Sequence, residues 1–413
     1  MNDEHASWFD AYDYYERRIA TAIAKMPMRK PWVPAQRQEI VNLARKSLGI
    51  REEYIPSIQI DHVRIVPKNE CSIQFLTFRS WVDVYGAAHL YVPEQAKNSK
   101  QPLPLILLCC GHGGHGKLNP GYQAAAIRLA RQGAYVLVPD VMGHGERHGM
   151  GHASVVHPFA CGISFQGLIA METLAWIEWA LQDSRFDESR LGAIGNSGGG
   201  TLTCFLAAIS DKLAVLSSSG YPSTFEYVAR CKERGHCSCN IIPDIVGELE
   251  MWQLYGAFAP KPLFLFQGDL DRIFPQDLFY TVMRKVKYAY AEVGAEQWFQ
   301  YAAYPGTHSW DSYRRMKLSE FMAEHLGLLP AEEMEDDTRD VLDESQHCWE
   351  TVPEHAITTN ELAMRLSGKR FPDDVQLWDV YPPKQTGAPI DEAALLNCSH
   401  RQVLAQFEAF LKK

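Results

Sequence analysis

Apolar residues change their spacing several times along this 413-residue chain, and each change predicts an element. Residues 58–92 are rich in β-branched and aromatic side chains. They are interrupted by turn-prone positions at 68–70 and again near Tyr85, which predicts antiparallel strands. Beyond them, short apolar runs at 105–109, 135–138, 191–194, 213–216, 263–267 and 298–304 read as buried strands. Helical patterns fall between some of these runs: 122–132 closed by Gly133, 163–181 with Ala170, Leu174, Ile177 and Leu181 on one face, and 201–209. Strand alternating with helix predicts an α/β protein, a doubly wound, mostly parallel sheet with antiparallel N-terminal strands. Residues 11–25 and 35–48 predict a helical N-terminal arm broken around Pro27, Pro31 and Pro34. Its aromatic cluster of Trp8, Phe9, Tyr12, Tyr14 and Tyr15 suits docking onto the body or an oligomer contact. An acidic run from Glu332 to Asp340 opens a small C-terminal extension with helical stretches at 359–366 and 391–411, anchored by Trp349 and Trp378. The expected division is an arm at 1–55, a main α/β domain at 56–330 and an extension at 331–413. An insert at 221–258 is either a cap over the site or a surface excursion.

Composition narrows the partners. At 46% hydrophobic and 22% charged the chain is an ordinary globular one. A formal net charge of -10 argues against nucleic acid and anionic membranes, both of which reward positive patches. No apolar run approaches the length of a membrane span, and residues 1–6 are polar, so no export signal is expected. Ten cysteines in a chain of this size then read as reduced thiols and predict a cytoplasmic protein. A neutral or cationic small molecule is the expected partner, with a homo-oligomer left open.

The candidate chemistry begins at Gly195, Asn196, Ser197, Gly198 and Gly199, a G-x-S-x-G turn between a predicted strand and a predicted helix. Such a turn crowds its own backbone, so it needs small residues, and it lifts a serine hydroxyl above the sheet edge. The acid and the imidazole that would activate it follow in chain order. Asp271 lies after the 263–267 strand and His308 after the 298–304 strand, with Asp269 the rival acid. The loop Gly111, His112, Gly113, Gly114, His115, Gly116 permits two readings. It can supply a backbone N–H to an oxyanion hole, or, as G-x-G-x-x-G followed by Asp140, it can bind a dinucleotide. The four residues 117–120 between the last glycine and the next helix favour the first, because a pyrophosphate needs the helix to start within the motif. A metal hydrolase is the third class. His144, His148, His152 and His157 share one loop, and Cys231, His236, Cys237 and Cys239 another, but neither set has the paired spacing of a structural zinc site. Packed thiols and a His-lined pocket wall are expected instead, with no metal and no cofactor.

On these motifs, the chain resembles the α/β-hydrolase superfamily over residues 58–328. Gly268, Asp271 and Pro275 of the acid loop and the stretch Asp140, Val141, Met142, Gly143, His144, Gly145, Glu146 carry the likeness, which is greatest to the acetyl esterase and acetyl xylan esterase-like group. Sugar deacetylases of that group often have Arg, Gln and Glu where this chain has Met142, Gly198 and Ser309. The resemblance implies an α/β-hydrolase fold and a serine esterase acting on short-chain, acetyl-type esters through an acyl-enzyme. Ser197 would be the nucleophile, His308 the base and Asp271 its orienting acid. The N–H groups of His112, with Gly113 the next choice, and of Gly198 would hold the oxyanion. Gly113, His144, Glu146 and Trp310 would line the substrate pocket. An amidase, a peptidase or a carbon–carbon bond hydrolase could use the same trio. An NAD-dependent oxidoreductase or a non-catalytic binding module stands as the alternative of another class.

Overall fold

The computed structural model describes residues 34–152, 156–230, 237–240, 242, 245–330, 338–351, 353 and 357–372. The expected helices at 11–25 and 391–411, the N-terminal aromatic cluster, Trp378, Cys231 and His236 lie outside them.

Among the described residues, nine strands form one sheet in the order β1-β2-β3-β5-β4-β6-β7-β8-β9. β1 (Gln59–Lys68), β2 (Cys71–Arg79) and β3 (Tyr85–Pro93) are the antiparallel strands expected from the sequence, and β3 joins the rest by pairing antiparallel with β5 (Tyr135–Pro139). β5, β4 (Leu103–Cys109), β6 (Phe186–Asn196), β7 (Val215–Ser219), β8 (Leu263–Gly268) and β9 (Phe299–Tyr304) are parallel. Ten helices follow in chain order among the described residues: α1 (Arg37–Leu48), α2 (Pro120–Arg131), α3 (Val156–Cys161), α4 (Phe165–Leu181), α5 (Gly198–Ile209), α6 (Phe225–Arg230), α7 (Met251–Gly256), α8 (Gln276–Glu292), α9 (Ser312–Leu326) and α10 (Thr359–Ser367).

Alternation along β4 shows why the sheet is buried on both faces. Leu105, Leu107 and Cys109 point into one apolar layer with α1, α4, α5, α7 and α8, while Ile106 and Leu108 point into the other with α2 and α9. The arm helix α1 seats directly on α4, since a Cβ on Gly167 would lie 1.9 Å from the Leu48 carbonyl oxygen. In the described part of the 221–258 insert, Tyr221, Phe225, Cys239, Leu249 and Tyr255 are buried in the layer that holds α5.

β7 differs from its expected 213–216. It comprises Val215, Leu216 and three serines, a composition that does not read as strand. Buried, each hydroxyl donates to an acceptor: Ser217 to the Phe264 carbonyl at 2.9 Å, Ser218 to the Gly200 carbonyl at 3.1 Å and Ser219 to Asn196 Oδ1 at 2.8 Å. The segment beyond residue 337 packs on the same body. The Leu342 N–H donates to Gln123 Oε1 at 2.7 Å and its carbonyl accepts from Gln123 Nε2 at 3.1 Å. Ile357, Leu362 and Ala363 are buried in the main apolar layer. No described helix is long and apolar enough to cross a membrane.

Candidate active site

Ser197 sits between the end of β6 and the start of α5 with φ 59° and ψ −119°, a left-handed conformation that a residue with a side chain adopts only under constraint. Its neighbours explain how the turn closes. A Cβ on Gly195 would lie 2.2 Å from the Gly199 carbonyl oxygen, and one on Gly199 would lie 1.9 Å from that of Cys109. The Ser197 N–H is held by the Ser219 carbonyl at 3.0 Å, and its own carbonyl accepts the first helical bond from Thr201 at 2.9 Å.

Asp271 and His308 come together. Asp271 follows β8 and His308 follows β9. Pairing of Asn196 with Ser219, Ser219 with Phe266 and Gly268 with Tyr304 puts all three chain segments at the same C-terminal edge of the sheet. His308 Nδ1 lies 2.7 Å from Asp271 Oδ2, while Asp271 Oδ1 accepts the N–H groups of Ile273 at 2.9 Å and Phe274 at 3.0 Å. Burial pushes this carboxyl up. The His308 hydrogen bond and charge and the two N–H groups outweigh burial and hold it below the ordinary carboxylate range. With Nδ1 donating, Nε2 of His308 carries the free lone pair. It is buried and has no hydrogen-bond partner among the described residues. The ring rests on Gly220 (φ 57°), where a Cβ would lie 2.9 Å from His308 Cε1. Asp269 is exposed and accepts the Gly306 N–H at 3.0 Å, so it shapes the turn and does not meet the imidazole.

The glycine-rich loop after β4 turns beside the serine, a Cβ on Gly111 falling 3.1 Å from Ser197 Cβ. The Gly111 N–H is taken by Tyr122 Oη at 2.9 Å. The N–H groups of His112 and Gly198 have no hydrogen-bond partner among the described residues. The imidazole of His112 lies against Gly198, 2.6 Å from where a Cβ would stand, and a Cβ on Gly113 would meet open space. His112, Gly198, Gly111, His144, Gln166 and Cys239 line part of a small cleft beside the serine turn. The dinucleotide reading of this loop fails on Asp140. Fully buried, it accepts from the Lys117 N–H at 2.8 Å, Lys117 Nζ at 2.6 Å and the Glu146 N–H at 3.1 Å, leaving nothing for a ribose.

Two residues expected in the pocket stand elsewhere. Glu146 is buried against Lys117, and its oxygens accept the N–H groups of Cys348 at 2.9 Å and Trp349 at 2.8 Å. Trp310 is buried behind the serine turn, where its Nε1 donates to Ser219 Oγ at 2.6 Å, which in turn donates to Asn196. His144 does reach the cleft. Burial, then His152 and His112, pull its imidazole down to about 4. Beside it is a grouping that spacing along the chain did not show. His112 Nε2 lies 3.1 Å from His152 Nε2 and 2.9 Å from Cys239 Sγ, and with Cys237 the four donor atoms all fall within 4.8 Å of one another. Three separately read loops supply them, and only the fold unites them.

The fold, with a serine turn, an acid and a histidine at one sheet edge, is that of the α/β-hydrolases. The methylesterase BT1017 superposes with a TM-score of 0.63 at 20% identity, over 80% of this chain and 73% of that one. A glucuronoyl esterase from Solibacter usitatus gives 0.55 at 12% identity over 73% and 99%. Acetyl Xylan Esterase 1 from a Thermoanaerobacterium species gives 0.50 at 14% identity over 71% and 95%. In sequence, the chain is 22% identical over 250 residues to YtaP of Bacillus subtilis strain 168, a protein whose name assigns it to the hydrolases; the match covers 58% of this chain and 83% of YtaP. No protein-family model matches the chain.

Proposed function

We propose that this chain is a serine hydrolase that cleaves carboxylic esters of small acyl groups. The observation that carries the reading is the Asp271–His308 hydrogen bond of 2.7 Å, with the buried Nε2 left over, at the sheet edge where Ser197 is held in a left-handed turn. His308 takes the Ser197 proton as Oγ attacks the ester carbonyl, and Asp271 stabilises the imidazolium. The N–H groups of His112 and Gly198 receive the oxyanion, a contribution of roughly 3 kcal/mol for each such donor. His308 then protonates the leaving alcohol. Water activated by the same imidazole releases the acid and restores the serine. Ester hydrolysis is also what the names of the three structural neighbours state for those proteins.

The test is labelling by a fluorophosphonate together with rates on p-nitrophenyl esters of increasing chain length, acetylated sugars, methyl uronates and an aryl amide. Wild type should label and prefer the shortest acyl esters. Ser197→Ala should not label, and Asp271→Asn should lose about 10⁴-fold in kcat with the imidazole in the wrong tautomer. Near-wild-type hydrolysis by Ser197→Ala would overturn the proposal, and faster turnover of the amide than of every ester would move it to the amidases.

A further inference from the structure

Four side chains beside the serine turn form a donor set that neither hydrolysis nor packing requires. We propose that His112, His152, Cys237 and Cys239 bind one zinc ion, and that this ion ties the glycine-rich loop, the His-rich loop and the 221–258 insert together around Gly198.

The donor chemistry comes first. Two imidazole nitrogens and two thiolates are the set a structural zinc site takes, closed at four ligands and tetrahedral. Bond lengths of about 2.0–2.1 Å to nitrogen and 2.3 Å to sulfur put ligand atoms of a tetrahedron roughly 3.3–3.8 Å apart. Here His112 Nε2 is 3.1 Å from His152 Nε2 and 2.9 Å from Cys239 Sγ, and all four donor atoms lie within 4.8 Å of one another. Shifts of a few tenths of an ångström up to about one ångström complete the tetrahedron.

A second observation concerns orientation. His152 Nδ1 lies 2.8 Å from the Met142 carbonyl oxygen, which can only accept, so the proton is on Nδ1 and the Nε2 lone pair faces the cluster. A backbone carbonyl that fixes the tautomer and aims the other nitrogen is the outer-shell partner of metal-bound histidines. A hydrogen-bonded cluster without a metal accounts less well for the crowding. His112 Nε2 has at most one proton, yet it stands within contact distance of both another unprotonated nitrogen and a sulfur.

The position gives the ion a role. The His112 imidazole touches Gly198, and the His112 N–H points to no partner among the described residues. Fixing the imidazole fixes the backbone that carries it, so the ion would set one of the two oxyanion donors; this part rests on the serine-hydrolase reading, whereas metal binding itself does not. With all four positions filled by protein, the ion holds structure and takes no substrate.

The experiment uses the full chain, expressed with added zinc, kept reduced and dialysed against metal-free buffer, with metal measured by plasma mass spectrometry. About one zinc per chain is expected. Replacement by cobalt should give thiolate-to-cobalt charge transfer and the intense visible bands of a tetrahedral centre. Cys237→Ser with Cys239→Ser, and His152→Gln alone, should lose the metal and the bands. His148→Gln, an exposed histidine of the same loop, and Ser197→Ala should keep both, the latter without hydrolysis, which separates this proposal from the catalytic one. Only trace metal in the reduced wild type, a Cys237–Cys239 disulfide in its place, or full metal in the double cysteine variant would each overturn it. If the double variant does not fold, the cobalt spectrum of the wild type still decides.

Discussion

Replacing Lys117 by Met tests whether the loop beside the site is held by buried charge. Lys117 and Asp140 are fully buried and the Glu146 carboxylate nearly so. The ammonium lies 2.6 Å from Asp140 Oδ2 and also contacts Glu146 Oε1. Methionine keeps the volume and removes the charge, leaving two carboxylates that share one buried site. Breaking a buried pair in this way costs roughly 3–5 kcal/mol, a large part of a total stability of about 5–15 kcal/mol. The loss should also depend on pH. In the wild type, burial raises the Glu146 carboxyl, and Lys117 with the N–H groups of Cys348 and Trp349 more than reverses this, so its contribution is complete above the ordinary carboxylate range and is lost only as pH falls through its lowered value. In the variant the charge of Lys117 is gone and burial dominates. The folded state then binds the proton more tightly than the unfolded one, and stability falls as pH rises through that window. Urea unfolding at pH 5 and pH 8 should therefore show a larger deficit at pH 8, and adding Glu146→Gln should recover part of it. A deficit under about 1 kcal/mol, or one equal at both pH values, would refute the reasoning.

Other outcomes follow from the packing of the serine turn and from buried Glu250. Gly199→Ala puts a Cβ 1.9 Å from the Cys109 carbonyl oxygen, which is backbone and cannot step aside, so it should cost roughly 1–3 kcal/mol and slow fluorophosphonate labelling as the serine turn shifts; an unchanged melt and labelling rate would contradict the close contact. Glu250 lies near Lys285 and Glu226, and its carboxyl is pushed up to about 7, chiefly by burial. The native state thus holds a proton that the unfolded chain releases near 4.5, and stability should decline from there to about pH 7. In Glu250→Gln, which keeps the side-chain oxygen that accepts the Phe225 N–H at 3.1 Å, that slope should vanish; a slope equal to wild type would assign it to another group.

Period and punctuation carried much of the fold. Apolar runs bounded by turn residues located the strands from Leu103 to Tyr304, because parallel strands buried on both faces need unbroken hydrophobic stretches. The serine turn and the residues after β8 and β9 were legible for a related reason: a sharp turn and a strand end each demand particular residues locally. The rest depended on contacts between distant segments. The serines of β7 fall beyond the expected 213–216 strand, and they belong to it because their acceptors stand on β6, β8 and α5. Lys117 looked like a spacer after the glycines, although it neutralises two carboxylates in the interior. Trp310 and Glu146 are the residue types that line pockets, and no sequence pattern distinguishes lining a pocket from supporting it. His112, His152, Cys237 and Cys239 lack metal-ligand spacing because three loops supply them.

The segment beyond the last sheet-covering helix lends its backbone to the interior. Leu342 answers both ends of the Gln123 amide, and Cys348 and Trp349 supply N–H groups to Glu146. Without them the Gln123 amide would lose one donor and one acceptor and the Glu146 carboxylate two donors. What remains for Gln123 is the Leu118 carbonyl at 2.7 Å and for Glu146 the Lys117 ammonium, so trimming the chain after the acidic run should weaken the interior around β4 and α2 rather than merely remove a surface extension.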